Sequence, residues 1–240
     1  SQSLYFDFNE NAPNVSERSD SSFAEHWVKW DRVVREKLET RLDSLDAFFE
    51  GKVSAILSQH LPSGCSLFVS NSMPPRDMES FWSPNDRGID VYCSRGANGI
   101  DGILSTAMGV AHGGKGTYLL TGDLALLHDS NGALISRVFR GALTIVLINN
   151  SGGGIFEMLP VSSLGVEFEE FFVTDQQVDF SNWARTYGID YQCPESWSEF
   201  ILSITRPQEA GVRLIEVVTD RKADSKMRKQ WFSEIAATLD

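Results

Sequence analysis

The sequence predicts an α/β fold, a doubly wound and mostly parallel sheet with helices on both faces. Three observations predict it. Short apolar runs recur at residues 66–70, 91–93, 117–121, 143–148 and 212–218. The runs are continuous rather than alternating apolar with polar, which marks strands buried on both faces. Segments of helical period lie between or after them, and that interleaving is the pattern of βαβ units. At 240 residues the chain has room for one large α/β domain or two small ones. No internal repeat divides it, and one main domain is expected.

Residues 1–45 read as a connector or tail that carries a helical segment. The first 20 are polar and include the Asn14-Val15-Ser16 sequon. No basic stretch leads into an apolar one there, so no secretory signal is expected and the sequon carries no argument about glycosylation. The chain opens Ser-Gln-Ser without a methionine, which suggests a piece of something longer. Between Phe23 and Phe49, the residues Trp27, Trp30, Val33, Val34, Leu38, Leu42 and Leu45 recur among charges. That spacing suits helix laid on a surface, with Trp27 and Trp30 packing. Beyond Asp46, helices are expected over 47–60, 99–112, 124–140, 180–187, 196–204 and 223–239.

Composition removes several function classes. There are 21 basic against 33 acidic residues, a formal charge of −12. Such a charge repels a phosphate backbone, so neither a general nucleic-acid binder nor an anionic-membrane binder is expected. No run of about 18 apolar residues is present, so no membrane span is expected. Cys65, Cys93 and Cys193 are odd in number and far apart. They make neither a zinc spacing nor a disulfide framework, and they fit structural thiols in a reducing, cytoplasmic setting.

In a doubly wound sheet, ligands sit outside the carboxyl ends of the strands. The polar, glycine-rich turns fall there: residues 71–76, 94–99, 122–123 and 149–154. One shared cleft follows. Asp123 and Asn150 lie at two of these ends, 27 positions apart. One helix and one strand between them return the chain to the same rim. A carboxylate, an amide oxygen and glycine carbonyls form an all-oxygen set of the kind that hard cations such as Mg²⁺ take. The alternative is that Asp123 caps the helix from Leu124 and Asn150 is a turn residue. Arg76 and Arg95 follow different strands. Each offers a fork for a carboxylate, or else a surface ion pair.

At these residues the sequence resembles a known family. Gly122-Asp123-Leu124 followed by Asn149-Asn150 resembles the cofactor motif of the thiamine diphosphate enzymes, in their pyrophosphate-binding domain. Leu124 stands where the wider superfamily usually has Gly. That departure is similar to one branch, the 2-succinyl-5-enolpyruvyl-6-hydroxy-3-cyclohexene-1-carboxylate synthases of menaquinone and phylloquinone synthesis. Further segments look like that branch: Ser70-Asn71-Ser72 with Arg76, residues 94–102, Leu104-Ser105-Thr106-Ala107, and Ile155-Phe156 with Leu159-Pro160. The resemblance covers roughly residues 46–220.

The resemblance implies a thiamine diphosphate-binding fold, with residues 46–240 as the pyrophosphate-binding domain. It implies Mg²⁺, or Mn²⁺, held by Asp123, Asn150 and the Gly152 carbonyl. Gly122, Leu124, Gly153 and Ile155 would border the cofactor, and Ile100 would prop it in its bent form; without the resemblance Ile100 reads as a core residue. Ser72, Arg76 and Arg95 would bind the dicarboxylates 2-oxoglutarate and isochorismate, with Ile155, Phe156 and Leu159 as an apolar wall. The implied reaction is decarboxylating addition of 2-oxoglutarate to isochorismate, catalysed by a transferase. The activating glutamate of this family belongs to a pyrimidine-binding domain, for which this chain shows no counterpart. That domain would come from a second subunit of a homodimer or homotetramer, so no catalytic residue is assigned in this chain, and alone it is expected to be inactive or nearly so. A plant source would place the enzyme in plastids. The alternatives are a related thiamine diphosphate enzyme acting on another 2-oxo acid, and a non-catalytic α/β binding domain.

Several other motifs are excluded. Residues 109–115 match G-x-x-x-x-G-K, but Gly116 follows and the segment leads from helix to strand, so it is a helix-terminal glycine turn and not a phosphate loop. Gly96, Gly99 and Gly102 have the wrong spacing for a dinucleotide site. His26, His60, His112 and His128 form no cluster, and no G-x-S-x-G elbow is present. Glu167, Glu169 and Glu170 are expected to form a solvated face.

Overall fold

The computed structural model describes residues 22–239, and the sequon and the polar 1–20 segment lie outside the described residues. Six strands form one sheet: β1 (Ser66–Val69), β2 (Asp90–Cys93), β3 (Thr117–Gly122), β4 (Ala142–Asn149), β5 (Asp190–Gln192) and β6 (Gly211–Val218). Their order is β2-β1-β3-β4-β6-β5, and every neighbouring pair is parallel. The helices longer than one turn are α1 (Ser22–Asp43), α2 (Glu50–His60), α3 (Met73–Phe81), α4 (Ile103–Ala111), α5 (Asp123–His128), α6 (Phe180–Tyr187), α7 (Trp197–Thr205) and α8 (Arg221–Ala236).

The central strands are apolar throughout because both of their faces are covered. Along β4, Leu143, Ile145 and Leu147 join one core cluster with Leu104 and Met108 of α4 and Trp183 of α6. Val146 and Ile148 join another with Val53 and Leu57 of α2 and Phe200 of α7. The period-2 alternation of a strand sends successive side chains to opposite faces, so a doubly covered strand has no polar face to show. A third cluster joins Leu38 and Leu42 of α1 to Phe49, Phe81 and Ile235. α1 therefore packs on α2, α3 and α8, and Arg41 of α1 pairs with Glu234 of α8 at 2.8 Å.

Several features differ from the sequence expectations. β2 is not buried on both faces: all four of its residues are exposed, because it is an edge strand with β1 alone beside it. The helix expected over 124–140 ends at His128 and gives way to a 3₁₀ segment, Ser130–Arg137. Asp129 accepts bonds from the Ser105 backbone N–H at 2.7 Å and from its hydroxyl at 3.1 Å. At Gly132 a Cβ would stand 2.6 Å from Ser105 Oγ, so the chain is drawn onto the start of α4 instead of continuing its helix. α3 begins inside what reads as a turn, since Pro74 and Pro75 are compatible with a first helical turn, where the missing N–H costs nothing. Trp27 packs against the Phe23 and Trp30 rings yet stays 57% exposed. β5 is a short, polar edge strand with no apolar run to announce it.

Glu169 is not merely solvated. It pairs with Arg221 and Lys222 of α8, which fixes the short turn Glu169–Val173 to that helix. No helix among the described residues is long and apolar enough to cross a membrane.

Candidate functional site

The sheet order reverses direction between β1 and β3, where the chain first runs to β2 and then crosses back. A crevice at such a point is the usual ligand site of an open parallel sheet. A cavity of about 380 Å³ lies there. It is lined by the expected residues Ser72, Arg76, Arg95, Ile100, Gly122, Asp123, Leu124, Asn150, Gly152, Gly153, Ile155 and Phe156. Leu159 does not line it. It follows the 3₁₀ turn Gly154–Met158 in extended backbone and is 49% exposed.

Asp123 and the loop after β4 meet directly. Asp123 Oδ2 accepts from the Gly152 backbone N–H at 2.8 Å, and Oδ1 accepts from that of Leu124 at 2.7 Å. Asp123 is the first residue of α5, with Gly122 at the cap position, so its carboxylate serves the helix start through Leu124 and also reaches across to the loop after β4 through Gly152. Burial pushes its carboxyl up to about 6, against the pull of the two amides. Asn150 is buried too. Its Nδ2 donates to Glu50 Oε1 at 2.5 Å, and its Oδ1 is buried with no hydrogen-bond partner. Gly152 sits at φ 122°, where a Cβ would come within 2.3 Å of the Val173 carbonyl oxygen, so only glycine fits.

This donor set fits a hard cation bound with a diphosphate. Among the described residues, no group of three or more His, Cys, Asp or Glu is arranged to hold a metal. The oxygens available are instead one carboxylate, one amide and one carbonyl, which is the mixed set that Mg²⁺ accepts when phosphate and water complete its shell. Of the eight buried side-chain atoms without a hydrogen-bond partner among the described residues, Asn150 Oδ1 is the one whose residue lines the cavity, and a buried acceptor left so costs about 1–3 kcal/mol. The Gly152 carbonyl already accepts from the Gly154 N–H at 2.9 Å and keeps a second lone pair.

The rim carries the arginines. Arg76 Nη1 donates to the Ser72 carbonyl at 2.7 Å, and Arg95 Nη1 donates to Asn71 Oδ1 at 3.3 Å. Asn71 in turn donates to the Gly99 carbonyl at 2.6 Å, which ties the turn after β1 to the turn after β2. Neither arginine forms an ion pair among the described residues, so the surface ion-pair alternative is not what is seen. Ile100 lines the cavity and also packs against the core beneath. Ser72 lies at φ 71° and ψ −126°, backbone that costs a non-glycine residue about 1–3 kcal/mol and is characteristic of functional turns.

Sequence reasoning missed the acidic floor. Glu50 and Asp77 line the cavity from α2 and α3, and with Asp224 they surround Arg228. Arg228 Nη2 lies 2.5 Å from Asp77 Oδ1 and 3.6 Å from Glu50 Oε2. The Glu50 N–H donates to Asp224 Oδ2 at 3.2 Å. All four residues are buried. No local signal marks Glu50, because an acid in the first turn of a helix is ordinary. Burial raises Asp77, outweighing the Arg228 guanidinium. It also pushes Asp224 up to about 8, with Glu50 adding repulsion.

The Asp224 shift has a sign that can be tested. Its folded value stands above the ordinary 3.8, so between about pH 4 and 8 the folded chain keeps a proton that the unfolded chain releases. Its contribution is therefore fully present below about pH 4 and is lost as pH rises toward 8. Asp224→Asn should flatten that part of the stability profile, measured as urea midpoints from pH 4 to 8. A native profile already as flat as the variant's would contradict the shift. Ser72→Gly should relieve the backbone strain and raise stability by about 1 kcal/mol, after the entropy cost of glycine, and thermal unfolding reads it directly.

No protein-family model matches the chain. Curated relatives do. The chain is 50% identical over 220 residues to a protein of Rippkaea orientalis (strain PCC 8801 / RF-1), covering 92% of this chain and 37% of the relative. It is 46% identical over 222 residues to a protein of Synechococcus sp. (strain JA-3-3Ab), covering 91% and 37%. It is 50% identical over 206 residues to one of Microcystis aeruginosa (strain NIES-843 / IAM M-2473), covering 86% and 36%. All three carry the name 2-succinyl-5-enolpyruvyl-6-hydroxy-3-cyclohexene-1-carboxylate synthase. The chain spans a little over a third of the length of these relatives.

Proposed function

Because the chain is a homologue of part of the 2-succinyl-5-enolpyruvyl-6-hydroxy-3-cyclohexene-1-carboxylate synthases, we propose that it forms the cofactor-binding part of such an enzyme. In this reading residues 46–240 are the pyrophosphate-binding domain and the residues before them connect to the rest of the protein. The whole enzyme joins 2-oxoglutarate to isochorismate with loss of CO₂, in the cytoplasm or, in a plant, the plastid. The observation that carries the reading is the buried, unpartnered Asn150 Oδ1 beside an Asp123 carboxylate bonded to the glycine loop.

Thiamine diphosphate, when bound, supplies the electron sink that decarboxylation of a 2-oxo acid requires. The residues of this chain would bind and orient. Asp123, Asn150 and the Gly152 carbonyl hold Mg²⁺, or Mn²⁺, and the glycines at 152–154 let backbone approach the diphosphate without a Cβ in the way. Ile100, packed on the core below, gives the cofactor a rigid support. Ser72 and the Arg76 and Arg95 forks take carboxylates, and a substrate carboxylate can add to or replace the neutral contacts these arginines now make, Arg76 with a backbone carbonyl and Arg95 with an amide oxygen. Ile155 and Phe156 close the apolar side and exclude water. The pyrimidine-binding domain, with the activating glutamate, lies in the remaining part of the enzyme. A site shared between two subunits makes a homodimer the smallest active unit.

Calorimetric titration of the complete protein with thiamine diphosphate and Mg²⁺ tests the cofactor site. Binding should require the metal and disappear in Asp123→Ala; metal-independent binding, or binding indifferent to Asp123, would refute the assignment. Arg76→Ala and Arg95→Ala should each weaken one dicarboxylate by about 2 kcal/mol, the worth of a charge-assisted hydrogen bond. Steady-state kinetics reads this as a raised KM for 2-oxoglutarate or isochorismate with cofactor affinity unchanged.

A further inference from the structure

Asn150 has one oxygen and one nitrogen on a planar amide, and only the oxygen can ligate a cation. The structure commits the nitrogen elsewhere, since Nδ2 donates to Glu50 Oε1 at 2.5 Å. Both residues are buried, Asn150 at 8% and Glu50 at 3% exposure. Turning the amide by half a rotation would set two acceptor oxygens against each other at that distance, with no water to separate them. The glycine loop leaves room for this pair, because a Cβ on Gly154 would stand 2.6 Å from Asn150 Nδ2 and 3.6 Å from Glu50 Oε1.

Glu50 is itself held from several sides. Its backbone N–H bonds to Asp224 at 3.2 Å, and its Oε2 faces Arg228 Nη2 at 3.6 Å. Arg228 is anchored by Asp77 at 2.5 Å and lies over the Phe49 ring at 5.4 Å. α2, α3 and α8 converge on one carboxylate whose free side meets Asn150.

We propose that Glu50 is a positioning residue, which fixes the Asn150 amide so that its oxygen stays free for the divalent cation. The inference rests on the cofactor site proposed above. It assigns a task to a buried acid at the floor of the cavity, acting through Asn150.

The test uses the complete protein, with Mn²⁺ as probe in the presence of thiamine diphosphate and bound metal read by electron paramagnetic resonance. Glu50→Leu, which removes the acceptor, should weaken Mn²⁺ about tenfold, the usual effect of losing a residue that orients a ligand. Glutamine keeps an acceptor oxygen, so Glu50→Gln should bind better than Glu50→Leu. Asn150→Asp should weaken binding as well, by placing two carboxylates in contact. Combining Glu50→Gln with Asn150→Asp restores a single donor–acceptor pair with its sense reversed, the amide now at position 50 donating to a carboxylate at position 150. The double variant should therefore recover affinity to within a few-fold of native. A role in folding alone gives no such recovery. The comparison of E50Q/N150D with N150D holds even where E50L unfolds. Native-like binding by E50L, or a double variant no better than N150D, overturns the inference while the cofactor site stands. Failure of the native protein to bind Mn²⁺, with Asp123→Ala behaving the same, overturns both.

Discussion

The bond from the Gly152 amide to the Asp123 carboxylate, 2.8 Å long and buried, ties the end of β3 to the loop after β4, and the shape of the cavity depends on it. For that amide to point at Asp123, Gly152 must adopt φ 122° and lie against Val173. Gly153 then donates to the Val173 carbonyl at 2.8 Å, so the glycine loop is pressed on the turn at 169–173. That turn is fastened to α8 through Glu169 and its partners Arg221 and Lys222. α8 also supplies Arg228 and Asp224 to the floor beneath Asn150. A single helix thus supports the glycine loop from two sides, and a disturbance in α8 reaches the site through Glu50 and Asp77, the lining residues that Arg228 and Asp224 hold.

The floor is a poor choice for stability. Three buried carboxylates share one guanidinium, and each charge gives up several kcal/mol of hydration that mutual attraction only partly returns. Burial drives Asp77 and Asp224 toward their neutral forms, which lessens the repulsion without abolishing it. An apolar floor of equal volume would hold α2, α3 and α8 together as well or better. What it lacks is an acceptor for the Asn150 amide nitrogen. A cost in stability that leaves one particular atom correctly oriented is intelligible where that atom has a ligand to meet.

The sheet core and most of the cavity lining were legible in the sequence. The central strands are legible because burial on both faces leaves a continuous apolar run, as in Leu143 to Ile148. The lining is legible because a parallel sheet gathers the turns after its strands at one rim, so Ser72, Arg95, Asp123 and Asn150 come together from topology alone. The edges were not legible. β2 has an apolar run but one neighbour, and β5 has a neighbour but no apolar run, so composition and position disagree in both. The helix after Asp123 was overdrawn because the packing of Asp129 and Gly132 on Ser105 is a long-range fact. Glu50 was missed for the same reason, since its identity as a site residue comes from contacts with Asn150 and Arg228, far along the chain.

Cavity size does not single out the site. A roomier cavity, about 570 Å³, lies at the opposite end of the sheet among Cys65, Lys115, Thr144 and Arg206. Most of its polar groups are already engaged. Lys115 pairs with Asp90 at 2.9 Å and Arg206 with Asp190 at 3.6 Å; Thr144 bonds to Gln208 at 2.9 Å and Tyr118 to the Ile204 carbonyl at 2.7 Å. A ligand there would have to break protein contacts of equal worth. At the C-terminal rim the balance is reversed. Asn150 Oδ1 has no protein partner, both arginines lack an ion-pair partner among the described residues, and Ser72 is held in strained backbone. Binding at that rim would satisfy groups that the fold alone leaves unsatisfied, and this distinguishes a prepared site from a gap between elements.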